Sequence, residues 1–392
     1  MSGAKRDAGF ATGLRREVER LDQRVLFRVV CFGLPLFCAL FMATVFGDGE
    51  MNELPVGVVD HDFSATSRDI VRSIDSSPKL AAKGHYTSYS EAATDLRRGK
   101  IYGFVIIPHN FEQDLLAERQ PTIEGYYQYA LMSAGAQVAS TLDALLATLS
   151  VGPMVQTATQ LAISPQATEA LLMPIEAGSE PLFNPTLSYS LYLSAPFFFV
   201  MFQIVVLLFT VYSIGSEIKF STAKEWLTSA GGKIGTAVVS KLAPHTIIFT
   251  AMGILAQWIL GWSGAFTTPN DWWATALYTL LLVVASQSLG LFIFSIYPAM
   301  GLVISVVSMI GSLGATLCGV TFPLSSMTPF IKKAALALPI RQFMLLLQGE
   351  PYLHTTPEWI HIATLAGFCL LPLPLMPRLR RAITSGRYEK IS

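Results

Sequence analysis

Six stretches of about twenty mostly apolar residues constrain this chain more than any motif in it. Each matches the thickness of a bilayer's hydrocarbon core, where a helix is favoured because it pairs every backbone N–H and C=O internally. The stretches are 25–46, 187–214, 238–262, 274–297, 300–322 and 358–377. The first carries one charge, Arg28, close enough to its start to snorkel. The second, "LSYSLYLSAPFFFVMFQIVVLLFTVYSI", carries none. The last contains Pro372, Pro374 and Pro377, which predict a kink. Composition agrees, since only 14% of the residues are charged, against roughly 25% in soluble domains. A net charge of zero points to no nucleic-acid partner. Cys31, Cys38, Cys318 and Cys369 all lie in apolar runs, where neither a disulfide framework nor a zinc site is indicated.

The uncharged part of the first stretch, 29–46, is longer than the roughly 7–15 residues of a signal-peptide core, and no small-x-small cleavage site follows. A retained anchor is expected. Upstream, Leu14, Val18, Leu21 and Val25 recur at helical spacing, with Arg15, Arg16, Arg20 and Arg24 on other faces, which suits a helix lying in the membrane surface. Orientation follows from basic residues in short loops. With the N-terminus inside, the cytoplasm holds Lys5, Arg6, Arg15, Arg16, Arg20, Arg24, Lys219, Lys224, Lys233, Arg378, Arg380, Arg381, Arg387 and Lys390. The short outer segments hold only Lys332, Lys333 and Arg341. The chain therefore reads as a polytopic α-helical membrane protein with six transmembrane helices and an inserted extracytoplasmic α/β domain. Its expected parts are a cytoplasmic amphipathic segment 1–24, a first span 25–46, the external domain 47–186, a five-helix domain 187–377 and a basic tail 378–392. Both termini are expected in the cytoplasm.

Within 47–186 the composition becomes that of a soluble domain. Val56–Val59 predicts a strand, and Thr66-x-x-Asp69 and Ser88-x-x-Glu91 each predict a capped helix, the second ending at Gly99. "IYGFVIIP" and "TIEGYYQY" predict further strands around a short helix in "FEQDLLAER", and a long helix follows at about 133–150, with more helix expected in 151–182. Asp60-His61-Asp62-Phe63-Ser64 has the outline of a magnesium-dependent phosphoryl-transfer site. Such a site needs a basic residue and further carboxylates in a second motif, which is not recognisable here. The expected role of Asp60 and Asp62 is to accept hydrogen bonds at a helix start. "SAGGKIGT", 229–236, is no P-loop: Ile234 stands where a hydroxyl must hold magnesium, and Leu227 where the first glycine belongs. No catalytic, cofactor or metal site is expected in this chain.

The order of spans and domain resembles the permease subunits of ABC-2 type exporters, specifically those with a large domain after the first span. Asp60-x-Asp62-x-Ser64, "GFVIIPHNF" at 103–111 and "FNP" at 183–185 are similar to that family's external domain. "SEIKFSTAKEWLTSAGG" supplies Glu217, Lys219, Thr222, Glu225, Trp226 and Leu227 after the second span. Ser221 replaces the family's usual glycine there, and Ala230-Gly231 its proline. "FPLSSMTPFIKKAALALPIRQFMLLLQG" keeps Pro323, Met327, Pro329, Pro339 and Gly349. The resemblance implies two six-helix copies, identical or paralogous, in the bacterial inner membrane. A separate cytoplasmic ABC ATPase subunit would carry ATP and magnesium. Residues 215–236 would be the ATPase-coupling segment, with Trp226 and Leu227 as apolar anchors beside Lys224 and Glu225. Residues 323–349 would form an external re-entrant hairpin. A Gram-negative source would add a periplasmic adaptor and an outer-membrane channel.

In the fifth stretch, Gly311, Ala315 and Gly319 fall four apart with Ser308 and Ser312 alongside, a groove suited to close helix approach, and the resemblance implies that this helix lies near the dimer interface. The polar residues within the spans include Gln203, His245, Gln257 and Gln287, with His245 near enough to an end for interfacial solvation. A pathway this apolar suits a drug, lipid or other amphipathic metabolite rather than a small ion. Two other readings share the topology: a membrane-anchored receptor or secretion factor that binds without transport, and an external phosphohydrolase resting on Asp60 and Asp62.

Overall fold

The computed structural model describes residues 9–45, 51–117, 119, 121–129, 132–160, 188–266, 271–320, 322, 326–353 and 359–385. Among them six helices are long and apolar enough to cross a membrane: Val25–Val45, Ser190–Lys219, Ile234–Trp262, Trp272–Ile296, Met300–Leu317 and Trp359–Ser385. They are called the first to sixth spans below. The chain divides into two units, Met1–Gly49 with Tyr189–Ser392 and Glu50–Ser188.

In the spanning unit, local chemistry explains each departure from regular helix. The first span carries a π-turn at Val29–Gly33, just before Pro35, whose missing N–H cannot complete the i to i−4 ladder. The sixth breaks after Phe368 into a 3₁₀ turn, Leu373–Leu375, and a separate amphipathic helix, Met376–Ser385, as its prolines require. The second span runs to Lys219, past the end read from hydropathy, because Glu217 is buried among ionic partners rather than solvated. The fifth stops at Leu317, and Gly319 beyond it takes a left-handed φ of +85°. A short helix, Ala223–Ser229, connects the second and third spans.

Two more helices, Pro329–Leu336 and Pro339–Leu353, lie between the fifth and sixth spans and each begins on a proline, where the missing donor costs nothing. Pro323 lies outside the described residues. Aromatic packing fills the bundle core, with Phe198, Phe199, Phe202, Phe249 and Phe343 all buried. Exposed tryptophans mark one boundary: Trp258 and Trp262 close the third span, Trp272 and Trp273 open the fourth, and Trp359 opens the sixth. By the alternation of the spans these fall at the same end, as expected of an interfacial belt.

The second unit is a four-stranded sheet in the order β2-β1-β3-β4. Its strands are β1 (Leu54–Asp60), β2 (Leu80–Tyr86), β3 (Gly103–Ile107) and β4 (Glu124–Tyr127). β1 is parallel to β2 and β3, and β4 is antiparallel to β3. β2, "LAAKGHY", is absent from the sequence reading because it is a half-exposed edge strand with only Leu80 fully buried. Its register slips opposite Gly57, where the Tyr86 ring lies so close that a Cβ on Gly57 or Gly84 would collide with it. Helices Ala65–Asp75 and Met132–Gln160 bury Ile70, Ile74, Val138 and Leu142 against one side of the sheet. The expected helix in 151–182 is present through Gln160, and the remainder lies outside the described residues.

The Ala65–Asp75 helix is capped by Ser64, whose Oγ accepts from the Ser67 N–H at 3.0 Å, and not by the box read at Thr66. Thr66 instead donates to Glu112. Asp60 Oδ1 accepts from the N–H groups of Asp62 and Phe63, and its Oδ2 from the Ser67 hydroxyl at 2.8 Å. Asp62 Oδ2 accepts from the Glu112 N–H. These carboxylates close a strand and tie two helix starts together.

Candidate functional site

The N-terminal helix Phe10–Gln23 leaves Arg15, Glu19 and Asp22 exposed but turns Arg16, Glu17 and Arg20 inward. Glu17 is 1% exposed, packed with Leu21 into the bundle. Gly13 permits this closeness, since a Cβ there would sit 2.5 Å from Ser240 Oγ. The Gly9 N–H donates to the Ser229 carbonyl, so the same helix also grips the end of the connecting helix.

A buried ionic cluster results. Glu217, near the end of the second span, receives Arg16 through both terminal nitrogens at 2.7 and 2.9 Å, a bidentate pairing that fixes orientation as well as charge. It also receives Arg20, the Thr222 hydroxyl, and Lys241 Nζ at 2.8 Å. Lys241, from the third span, is wholly buried and reaches Glu17 at 2.6 Å as well. Arg20 pairs with Glu17 in turn, at 3.3 Å. Burial alone would raise the Glu17 carboxyl, but Lys241, His245 and Arg20 outweigh it and hold it below the ordinary glutamate value. His245 is fully buried, not interfacially solvated as its position in the sequence suggests. Its Nε2 lies 3.4 Å from Glu17 Oε1, and its ring packs edge-on to Phe27 and Phe209. Arg20 and Arg24 stand over the Phe27 ring.

The connecting helix hangs from this cluster. Ser221, where a glycine was expected by resemblance, takes the left-handed conformation that a glycine would favour, with φ +58°. Trp226 and Leu227, read from the sequence as anchors for a partner, face inward. Trp226 is 1% exposed, donates from its indole to the Ala237 carbonyl at 3.0 Å, and lies under Lys241. They pack with Leu379 and Ile383 of the last helix, so they secure the segment within its own chain. The exposed residues on the connecting helix are Lys224, Glu225 and Thr228, with Lys219 exposed just before it and Lys233 just after it.

The small-residue stripe of the fifth span is also turned partly inward. A Cβ on Gly311 would strike Ile204 of the second span at 2.6 Å, so this glycine seats the two spans of one chain against each other. Ala315 and Ser308 are half-buried, Gly319 follows the helix end, and Ser312 is exposed beside Met309 and Leu313. Met327 and Pro329 precede and begin the first hairpin helix, and Pro339 begins the second.

Comparison with known families decides what these elements belong to. A family model described as ABC-2 family transporter protein matches residues 26–375. The chain belongs to that family. No curated protein matches it. As an ABC-2 family chain it is a multi-pass permease component of an ABC transporter, a family whose members work with an ABC ATPase subunit. In this ABC-2 chain Glu17, Lys241 and the pairing of Arg16 and Arg20 with Glu217 are missing from the sequence reading. A lysine inside an apolar span and a glutamate among arginines were the available signals.

Proposed function

We propose that this chain is the permease subunit of an ATP-driven exporter, of the subgroup with a large extracytoplasmic domain between the first two spans. It moves a hydrophobic or amphipathic substrate out of the cytoplasm or inner membrane. ATP and magnesium are bound by a separate ATPase subunit, and a second copy or a paralogue completes the pathway. The observation that carries this reading is the connecting helix. A seven-residue helix cannot hold a position by itself, yet here Thr222, bonded to the buried Glu217, and Trp226, buried beneath Lys241 and bonded to the Ala237 carbonyl, fasten it to the second and third spans. Lys224, Glu225 and Thr228 are then the residues that meet the ATPase. Arg and Lys side chains gathered at this end, and tryptophans at the other, support a cytoplasmic location for it. The exposed strip Met309, Ser312 and Leu313 on the fifth span is the face offered to the second copy.

The test is copurification of the ATPase with the permease, in the parent and in a Lys224→Glu, Glu225→Lys variant. The variant should insert at normal levels and lose most of its ATPase association and export. Unaltered association and export would remove these residues from the contact.

A further inference from the structure

The arginines of the N-terminal helix are answered within the chain: Arg15 pairs with Glu19, and Arg16 and Arg20 pair with Glu217. Those of the last helix are not. Met376–Ser385 carries Arg378, Arg380 and Arg381, all exposed, and among the described residues none of the three pairs with a carboxylate. The sequence offers no acid nearby, since none occurs between Glu358 and Glu389. The helix that carries them is firmly seated. It buries Leu379, Ala382 and Ile383, and Leu379 and Ile383 join a cluster with Trp226 and Leu227 of the connecting helix. At about 100° per residue, the three arginines then spread over the arc that remains.

The place of this helix in the chain decides what can answer them. It follows the helical part of the sixth span across the Leu373–Leu375 turn. Leu370 and Leu373, in that break, are 64% and 56% exposed, a surface for hydrocarbon rather than for water. Arg378 comes within about 10 Å of Leu373 along the chain. The headgroup layer begins where the hydrocarbon ends, so the first arginine emerges at the level of the lipid phosphates. We infer that anionic phospholipid seats the last helix on the bilayer surface, its phosphates held by Arg378, Arg380 and Arg381 beside the exposed leucines. Basic clusters immediately after a span attract acidic lipid in this way. Because Leu379 and Ile383 pack with Trp226 and Leu227, acidic lipid also steadies the connecting helix. The inference needs only that the six helices span a bilayer, and not the export reading.

The experiment places the full chain in nanodiscs of phosphatidylcholine with phosphatidylglycerol as the minor component. A trace of photoreactive lipid bearing one headgroup or the other is added, and label on residues 370–385 is located by mass spectrometry. The phosphatidylglycerol probe should label this segment well above the phosphatidylcholine probe. Raised salt should shrink the difference, because exposed charges are screened. In the triple variant Arg378→Gln, Arg380→Gln, Arg381→Gln the preference should fall about tenfold or more, since each basic side chain at such a surface contributes about fivefold. The three corresponding changes to Lys should keep most of it. Equal labelling by the two probes in the parent overturns the proposal, as does an undiminished preference in the glutamine variant. So does loss of copurified ATPase from that variant with labelling unchanged, which would make the arginines a protein contact. If the triple variant elutes as aggregate, Arg378→Gln alone carries the test: a fall of about fivefold supports the lipid site, and an unchanged preference overturns it.

Discussion

Glu217 has no exposure and is the acceptor for Arg16, Arg20, Lys241 and Thr222. Glu217→Gln keeps the side-chain shape and leaves the cations facing a neutral amide. Breaking a buried pair in this way typically costs about 3–5 kcal/mol, because the remaining charges stay desolvated. The variant should show a clear fall in the fraction of protein that survives heating before size-exclusion chromatography. The paired change Glu17→Gln with Lys241→Met, which leaves less orphaned charge, should cost less than the sum of its two single changes. Additive losses would show that Glu17 and Lys241 are not energetically coupled. Protonation probes the same carboxylates. The Glu17 carboxyl titrates below its ordinary value of 4.5 in the folded chain, so its stabilising contribution is complete above that value and is lost as the pH falls through the lowered one. Protease cleavage within residues 10–23 should therefore be slow at neutral pH and accelerate in strong acid, and Glu17→Gln should flatten that acid dependence.

At the scale of elements, the connecting helix shows how a surface prediction can invert. Trp226→Ala removes an indole buried beneath Lys241 and is expected to cost about 3–5 kcal/mol, the range for large core truncations. It should lower the level of folded protein in the membrane, whereas the Lys224→Glu, Glu225→Lys pair should not. A Trp226→Ala variant that is fully stable but uncoupled would restore the anchor reading. Length and hydropathy made the spans legible, because the bilayer imposes both on any helix that crosses it. Their ends were less so: the second span extends past 214 through Glu217, whose charge is neutralised by distant partners. The Asp60 turn was legible as a role but not in its register, since Ser64 and Thr66 are both good caps and only tertiary contact with Glu112 decides between them. The direction of Trp226 was not legible at all, because a seven-residue helix has too few positions to reveal which face is buried. Pairings across about 200 residues, such as Arg16 with Glu217, leave no periodic trace.

For the molecule as a whole, the exporter reading requires the Glu50–Ser188 unit and the connecting helix to lie on opposite sides of the bilayer. With the four native cysteines replaced, Ser90→Cys should react with an impermeant thiol reagent in intact cells, and Thr228→Cys only after permeabilisation. Both positions are exposed. Equal reactivity of the two in intact cells would refute that topology. The buried ionic cluster also fixes an order of assembly. A ribosome completes residues 10–23 long before Glu217 and Lys241 exist, so the first helix emerges with Glu17 lacking Lys241 and with Arg16 and Arg20 lacking Glu217. They must remain solvated while the first span, the whole Glu50–Ser188 unit and the second span are synthesised and placed. Docking of the first helix is therefore a late event that cannot precede insertion of the third span. A nascent chain truncated before Lys241 should leave this helix open to protease, so closure of the amino terminus reports that the spans behind it have been built.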